Sequence, residues 1–335
     1  MLVGELGEEA LLEKMRRLFS SGLAAFPANV IIGIGDDAAV TASVAGSEVW
    51  TTDLLLEGIH FQTEWQTPRE LGHKSLAVSL SDVAAMGAAP RYALLSLACS
   101  AITTVDYILE LCQGIASLAA AHRLIVIGGD TTASGGPLVV GLALSGVISD
   151  GGTAVFRSGA RPGDRIFVTG HLGSAAAGLL LLKKQAAGDF PELREAFVRP
   201  EPRVEAGMRV RQHGGAAMTD LSDGLAADLR HICRESGTGA RIFQARLPIS
   251  DALLRASRRF DFDVTSLALE GGEDYELLFT VRPENSNRIA TAVAETGVRV
   301  TEIGEILPEE QGLLLSGDYG ERLFKERGYD HFLAG

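Results

Sequence analysis

The chain is poor in cysteine, with only Cys99, Cys112 and Cys233 among 335 residues. None falls in a CxxC spacing, so neither a dithiol redox motif nor a cysteine zinc site is legible. An odd number of thiols in segments expected to be buried fits a reducing compartment rather than a disulfide framework. Aromatics are only 6% of the chain against 39 glycines, so the cores must be built from Ala, Leu, Val and Ile. Positive charge is short as well. The 30 Lys and Arg face 43 Asp and Glu, a net charge of −13, which argues against sequence-independent nucleic-acid binding. It leaves anionic ligands open, because bound divalent ions reverse the local sign. The longest apolar run, Pro137–Ile148, is interrupted by Gly141, Ser145 and Gly146 and is too short to span a bilayer. Glu5, Glu8 and Glu9 stand where a secretory leader would be basic and then apolar. The expectation is a soluble, cytoplasmic protein with no membrane partner. No G-x-x-x-x-G-K-[ST], HExxH or G-x-S-x-G occurs, which excludes a Walker-type loop, that zinc site and a serine-hydrolase elbow.

What the chain has is a recurring design of glycine turns with carboxylates. Gly33-Ile34-Gly35-Asp36-Asp37 follows the β-branched run Val30–Ile32, and Thr51-Thr52-Asp53 comes shortly after. Adjacent aspartates repel when desolvated, and become favourable when a hard cation takes them. Periodicity predicts a helix over about 8–20, a strand over 48–54 and, after a loop with His60, a helix from Pro68 to about Met86. A strand over 92–99, a helix over 105–121, a short strand over 124–127 running into a Gly128-Gly129-Asp130-Thr131-Thr132 turn, and a strand over 138–148 follow. The texture then turns to Gly, Ser, Asp and Arg around 149–163, including Arg157, which places the boundary between domains 1–150 and 151–335. The second half reads as a strand over 165–169, a Gly170-His171-Leu172-Gly173 turn, helices near 174–184 and 202–213, the Asp220-Leu221-Ser222-Asp223-Gly224 turn with a helix behind it, and a strand over 277–281. Alternating strands and helices predict α/β architecture of the α+β type, each domain a mixed sheet packed with helices.

Asp36, Asp37, Asp53, Asp82, Asp130, Asp220 and Asp223 are expected at or near strand ends and helix starts, where ligands gather in open α/β sheets. With Thr and Ser hydroxyls beside them they form the oxygen ligand set that Mg²⁺ prefers. Each aspartate alone reads first as a turn former or helix cap, Ser222-Asp223 above all, and it is the seven together that point to a metal. His60 reads equally as a loop histidine and Arg157 as a solvated arginine, while Gly170–Gly173 reads first as a plain strand–helix turn. Ser81-Asp82-Val83-Ala84-Ala85 weakly echoes Ser222-Asp223-Gly224-Leu225-Ala226-Ala227.

Taken together, GIGDDAAV, TTDLLLEGIHF, KSLAVSLSDVAAMGA, IGGDTT, RSGARPGDRIFVTG, TDLSDGLAADL, EGGEDYELLFTV and the terminal GYDHF resemble the thiamine-monophosphate kinase family, in the superfamily of aminoimidazole ribonucleotide and selenophosphate synthetases. The resemblance implies a two-domain α/β fold and a homodimer with the N-terminal sheet at its interface. It implies transfer of the ATP γ-phosphate onto thiamine monophosphate, with several Mg²⁺ ions and without a general base. It assigns Mg²⁺ to Asp36, Thr51, Thr52, Asp53, Asp82, Asp130, Asp220 and Asp223, ATP to Gly129, Asp130, Arg157 and Ser222, and the thiamine phosphate to His60, Glu273 and Tyr329. Where the family commonly has Ser-Thr-Asp, this chain has Thr51-Thr52-Asp53, and the hydroxyl is retained. A non-catalytic, metal-dependent nucleotide-binding protein would use the same acids.

Overall fold

The computed structural model describes residues 1–6, 8–20, 30–32, 40–41 and 45–323. Asp36, Asp37 and Tyr329, with most of the GIGDDAAV motif and the terminal GYDHF, lie outside the described residues. Contacts divide the chain into a first unit, Met1–Val83 with Ala89–Gly151, and a second, Ala84–Ala88 with Gly152–Gly335.

The first unit runs α1 (Val3–Leu6), α2 (Glu8–Ser20), β1 (Val30–Ile32), β2 (Val40–Thr41), β3 (Ser47–Leu56), α3 (Pro68–Ala85), β4 (Ala89–Cys99), α4 (Val105–Ala121), β5 (Ile125–Ala133) and β6 (Val139–Ile148). Strands β1 and β2 pair antiparallel by themselves. The other four form a sheet ordered β3-β6-β4-β5, mixed because β4 and β5 run parallel. Helix α3 is buried on almost every side, with His73, Lys74, Ser75, Ser79 and Ser81 as enclosed as Leu71, Leu76 and Leu80. It meets α4 backbone to backbone. A Cβ on Gly72 would lie 1.9 Å from the Leu111 carbonyl oxygen, and one on Gly114 would lie 2.1 Å from that of Arg69. Thr104 starts α4 by accepting the Tyr107 N–H at 3.2 Å.

Two expectations are corrected here. Strand β3 runs three residues beyond Asp53, so Thr51-Thr52-Asp53 lies inside it rather than at its end. Residues 128–132 are strand, not turn, because β5 continues to Ala133 in register with β4.

The second unit runs β7 (Arg165–Thr169), α5 (Ser174–Lys183), α6 (Pro191–Val198), α7 (Val204–Gln212), β8 (Ala217–Asp220), α8 (Leu225–Ser236), β9 (Thr238–Phe243), α9 (Asp251–Phe260), α10 (Val264–Glu270), β10 (Leu277–Val281), α11 (Ser286–Ala294), β11 (Val300–Pro308), β12 (Leu313–Gly317) and β13 (Gly320–Leu323). Seven strands form one sheet, β13-β12-β9-β11-β7-β10-β8, parallel only at β12–β9. Apolar residues of β7, β10, β11 and α8 (Ile166, Leu278, Ile303, Leu229) share one core. Phe167 and Phe279, opposite each other on β7 and β10, stack at 5.6 Å. The end of α3 belongs to this unit: Arg211 Nε donates to the Gly87 carbonyl at 2.8 Å, and a Cβ on Gly207 would lie 2.0 Å from the Ala84 carbonyl oxygen. Both units are therefore mixed α/β layers. Among the described residues no helix is long and apolar enough to cross a membrane.

Candidate functional site

In the first unit, strand alternation decides which hydroxyls and carboxylates meet. Thr51 and Asp53 project from β3 toward α3, where Ser79 and Asp82 lie one turn apart. Thr51 Oγ1 donates to the Asp82 carboxylate, and Ser79 Oγ donates to Asp53 Oδ2 at 2.7 Å. The Asp53 carboxyl is raised to about 6, first by burial and then by the negative charge of Asp82, with the Ser79 hydroxyl pulling it back. Two carboxylates are thus held close on oxygen-rich ground with excess negative charge between them.

Thr52 and Asp130 stand elsewhere. Asp53, Leu142, Leu95 and Gly129 are in register across the sheet, so Asp130 lies three strand spacings from Asp53, roughly 14 Å, and on the opposite face with Thr52. That face also carries Trp50 at 66% exposure, Leu54 at 59% and Leu94 at 39%. Gly129 fits where no side chain would, since a Cβ there would lie 1.9 Å from the Leu95 carbonyl oxygen. His60 follows β3 in a turn. Its Nδ1 accepts the Leu56 N–H at 3.0 Å, so a neutral ring carries its proton on Nε2.

In the second unit, β8 ends on the buried Asp220 and the chain turns through Ser222 and Asp223 into α8. The N-cap of α8 is Gly224, with no side chain capping it. The N-cap position therefore falls on Gly224 rather than on Ser222 or Asp223, the pair the sequence alone leaves open. The Asp223 N–H donates to Asp228 Oδ2 at 3.1 Å. Asp228 is buried, and its carboxyl is pushed up to about 8 by burial and by the charges of Asp220 and Asp223. Ligand atoms of Asp223, Asp228 and His231 all lie within 4.8 Å of one another. Arg157 Nε donates to Thr219 Oγ1 at 3.2 Å, and its charge, after burial, helps hold the His231 imidazole below its ordinary value. Asp228 and His231 are the residues that motif reading passes over. Their signal is an Asp-x-x-His spacing on one helical face, four residues behind the glycine turn.

Glu273 sits on a third segment. Its N–H donates to the Ser222 carbonyl at 2.8 Å and that of Tyr275 to the Leu221 carbonyl at 2.9 Å, while Leu221 N–H donates to the Glu276 carbonyl at 2.8 Å. A nucleotide-side candidate, Ser222, and a substrate-side candidate, Glu273, are thereby joined through one backbone hydrogen bond.

Residues 35–148 match the family described as AIR synthase related protein, N-terminal domain, and residues 161–314 match its C-terminal domain. Over 312 residues the chain is 40% identical to thiamine-monophosphate kinase of Escherichia coli (strain K12), covering 91% of this chain and 93% of that one. The chain belongs to the thiamine-monophosphate kinase family. Family structures agree with the fold. The crystal structure of thiamine-monophosphate kinase from Stenotrophomonas maltophilia K279a superposes with a TM-score of 0.81 at 37% identity, over 92% of this chain and 96% of that one. Another family structure, AaThiL complexed with AMPPCP and TMP, has a TM-score of 0.77 at 31% identity and covers 99% of both chains.

Proposed function

We propose that this protein transfers the γ-phosphate of ATP to thiamine monophosphate, giving thiamine diphosphate and ADP. The observation that carries the reading is the Thr51–Asp82 and Ser79–Asp53 cluster in a chain of this family, two carboxylates held close by hydroxyl donors. A relative that holds AMPPCP and TMP together supports the choice of substrates.

The donor set fits Mg²⁺. It consists of carboxylate and hydroxyl oxygens, and Asp53, raised by burial and then by the Asp82 charge, stands beside a second carboxylate whose charge a hard cation would relieve. Asp53, Asp82 and Thr51 would hold one ion in the first unit, and Asp220 and Asp223 another in the second. Asp36 joins the proposed ligand set, and Thr52 and Asp130, on the opposite face of the sheet from Asp53, would each hold a separate ion. Bound Mg²⁺ supplies the charge neutralisation that two mutually repelling phosphates require.

The acceptor is a phosphate oxygen, already anionic at neutral pH, so no side chain has to remove a proton. The chain's own task is to bind and orient. Arg157, fixed through Nε to Thr219, keeps its remaining guanidinium N–H groups for nucleotide phosphate. Gly129, Asp130 and Ser222 complete the nucleotide contacts. His60 offers Nε2–H to the thiamine phosphate, and Glu273 offers a carboxylate to the permanently cationic thiazolium, with Tyr329 stacking on it.

The protein acts as a cytoplasmic homodimer in this reading, with the face bearing Trp50, Leu54 and Leu94 covered by a second copy. Incubating the purified protein with ATP, Mg²⁺ and thiamine monophosphate should yield thiamine diphosphate and ADP in equal amounts. Binding of ATP without turnover would instead make it a metal-dependent nucleotide-binding protein.

A further inference from the structure

Within the EGGEDYE segment, Glu273 and Tyr275 adopt φ of +68° and +48°, a left-handed backbone that residues with side chains rarely hold without outside support. Between them stands Asp274. Its Oδ2 accepts the Gly173 N–H at 2.7 Å and its Oδ1 the Ala175 N–H at 3.2 Å. Those groups open α5, whose own N-cap residue, Gly173 (φ +75°), has no side chain to satisfy them. The carboxylate of Asp274 therefore caps a helix about a hundred residues earlier in the chain, and in return that helix fixes the one residue between two left-handed neighbours. On the far side of Tyr275, Glu276 is buried and held by Arg203 (Nε at 2.7 Å, a terminal nitrogen at 2.6 Å) and by Thr169 Oγ1 at 2.6 Å.

We propose that Asp274 is a positioning residue for the acceptor substrate, clamping the segment so that the Glu273 carboxylate is set toward the thiazolium before thiamine monophosphate arrives. This rests on the reading that Glu273 contacts that substrate. Ser222 accepts the Glu273 N–H, but its turn is also held by the Asp223–Asp228 and Leu221–Glu276 bonds, neither of which involves Asp274. The effect therefore falls mainly on one of the two substrates.

The test is a double-mutant cycle of Asp274→Asn and Glu273→Gln in the full-length enzyme, with initial rates measured against each substrate. Asp274→Asn should raise KM for thiamine monophosphate about tenfold while KM for ATP moves by less than about twofold. In the Glu273→Gln background the same substitution should change KM for thiamine monophosphate by less than about twofold, because the group being positioned is gone. Equal effects in the two backgrounds, or equal rises in KM for both substrates, would overturn the proposal and leave the kinase reading standing. A wild-type protein that makes no thiamine diphosphate would overturn both. If Asp274→Asn does not give folded protein, Asp274→Ser, whose hydroxyl still accepts a hydrogen bond, goes through the same cycle with the same criteria.

Discussion

Protons and Mg²⁺ should compete for Asp53, and the size of that competition follows from the geometry. Burial and the neighbouring Asp82 charge raise the carboxyl from 3.8 to about 6. At pH 5 about nine-tenths of Asp53 then carries a proton, and at pH 8 about one in a hundred does. Mg²⁺ needs the deprotonated form, so apparent affinity at this site should weaken about elevenfold between pH 8 and pH 5. A carboxyl at its ordinary value would weaken binding by only about 6% over the same interval. Calorimetric titration of Mg²⁺ into the nucleotide-free protein, repeated in buffers of different ionisation enthalpy, also counts released protons. About half a proton per ion should leave Asp53 at pH 6 and almost none at pH 8. Asp228, raised to about 8, pushes in the same direction at the other acid group, so the titrations belong in an Asp228→Asn background. Asp53 is not the group in competition if Asp53→Asn in that background keeps the full slope below pH 6.5, or if the slope is absent before Asp53 is changed.

Asp53→Asn and Asp130→Asn should each lower turnover by at least about a hundredfold with unchanged far-ultraviolet circular dichroism; near-full activity with Mg²⁺ in both would remove their roles. Arg203→Met strands the buried Glu276 carboxylate and should cost about 3–5 kcal/mol in urea unfolding; a loss under about 1 kcal/mol would mean that Thr169 suffices. The stability of the metal-free protein should fall as pH rises from about 4 toward 8. Asp53, Asp274 and Asp228 are raised to about 6, 7 and 8, so the folded state binds more protons than the unfolded one across that window and the slope is negative. Thermal melts in chelator should show the decline, and melts in Mg²⁺ should show stabilisation that grows with pH; a rise in metal-free stability over the same range would contradict the shifts.

The fold is most legible where local signals agree with tertiary context. Helix α4 begins and ends at the residues expected because Thr104 caps it and its apolar face recurs at helical spacing. Strands β7 and β10 are short apolar runs buried along their length. Legibility fails where context overrides composition. Gly128-Gly129-Asp130 has the composition of a turn, yet it is strand because β4 lies alongside and Gly129 fits against the Leu95 carbonyl oxygen. Between Ser236 and Leu269 the sequence reading assigns no element, although Ser250 caps α9 by accepting the Leu253 N–H at 3.2 Å, ahead of the buried Ala252, Leu253 and Ala256. That signal was available in the pattern. The bulge that shifts β11 against β7 between Glu302 and Gly304 was not.

The candidate site divides along the same line. Thr51 with Asp53 is an i, i+2 pair on a strand, and Ser79 with Asp82 is an i, i+3 pair on a helix, so each pair is legible as one face. Which face meets which is tertiary information, and so is the separation of Asp53 from Asp130, two aspartates of equal prominence in the motifs that the sheet sets on opposite sides. Asp274 is the extreme case. Its partners are main-chain N–H groups, which every residue but proline possesses, so no residue type at Gly173 or Ala175 announces them. Side chains that bind substrate leave a chemical signature in the sequence. Side chains that hold the backbone of such residues in place leave almost none, and the left-handed φ values of Glu273 and Tyr275 are what point back to Asp274.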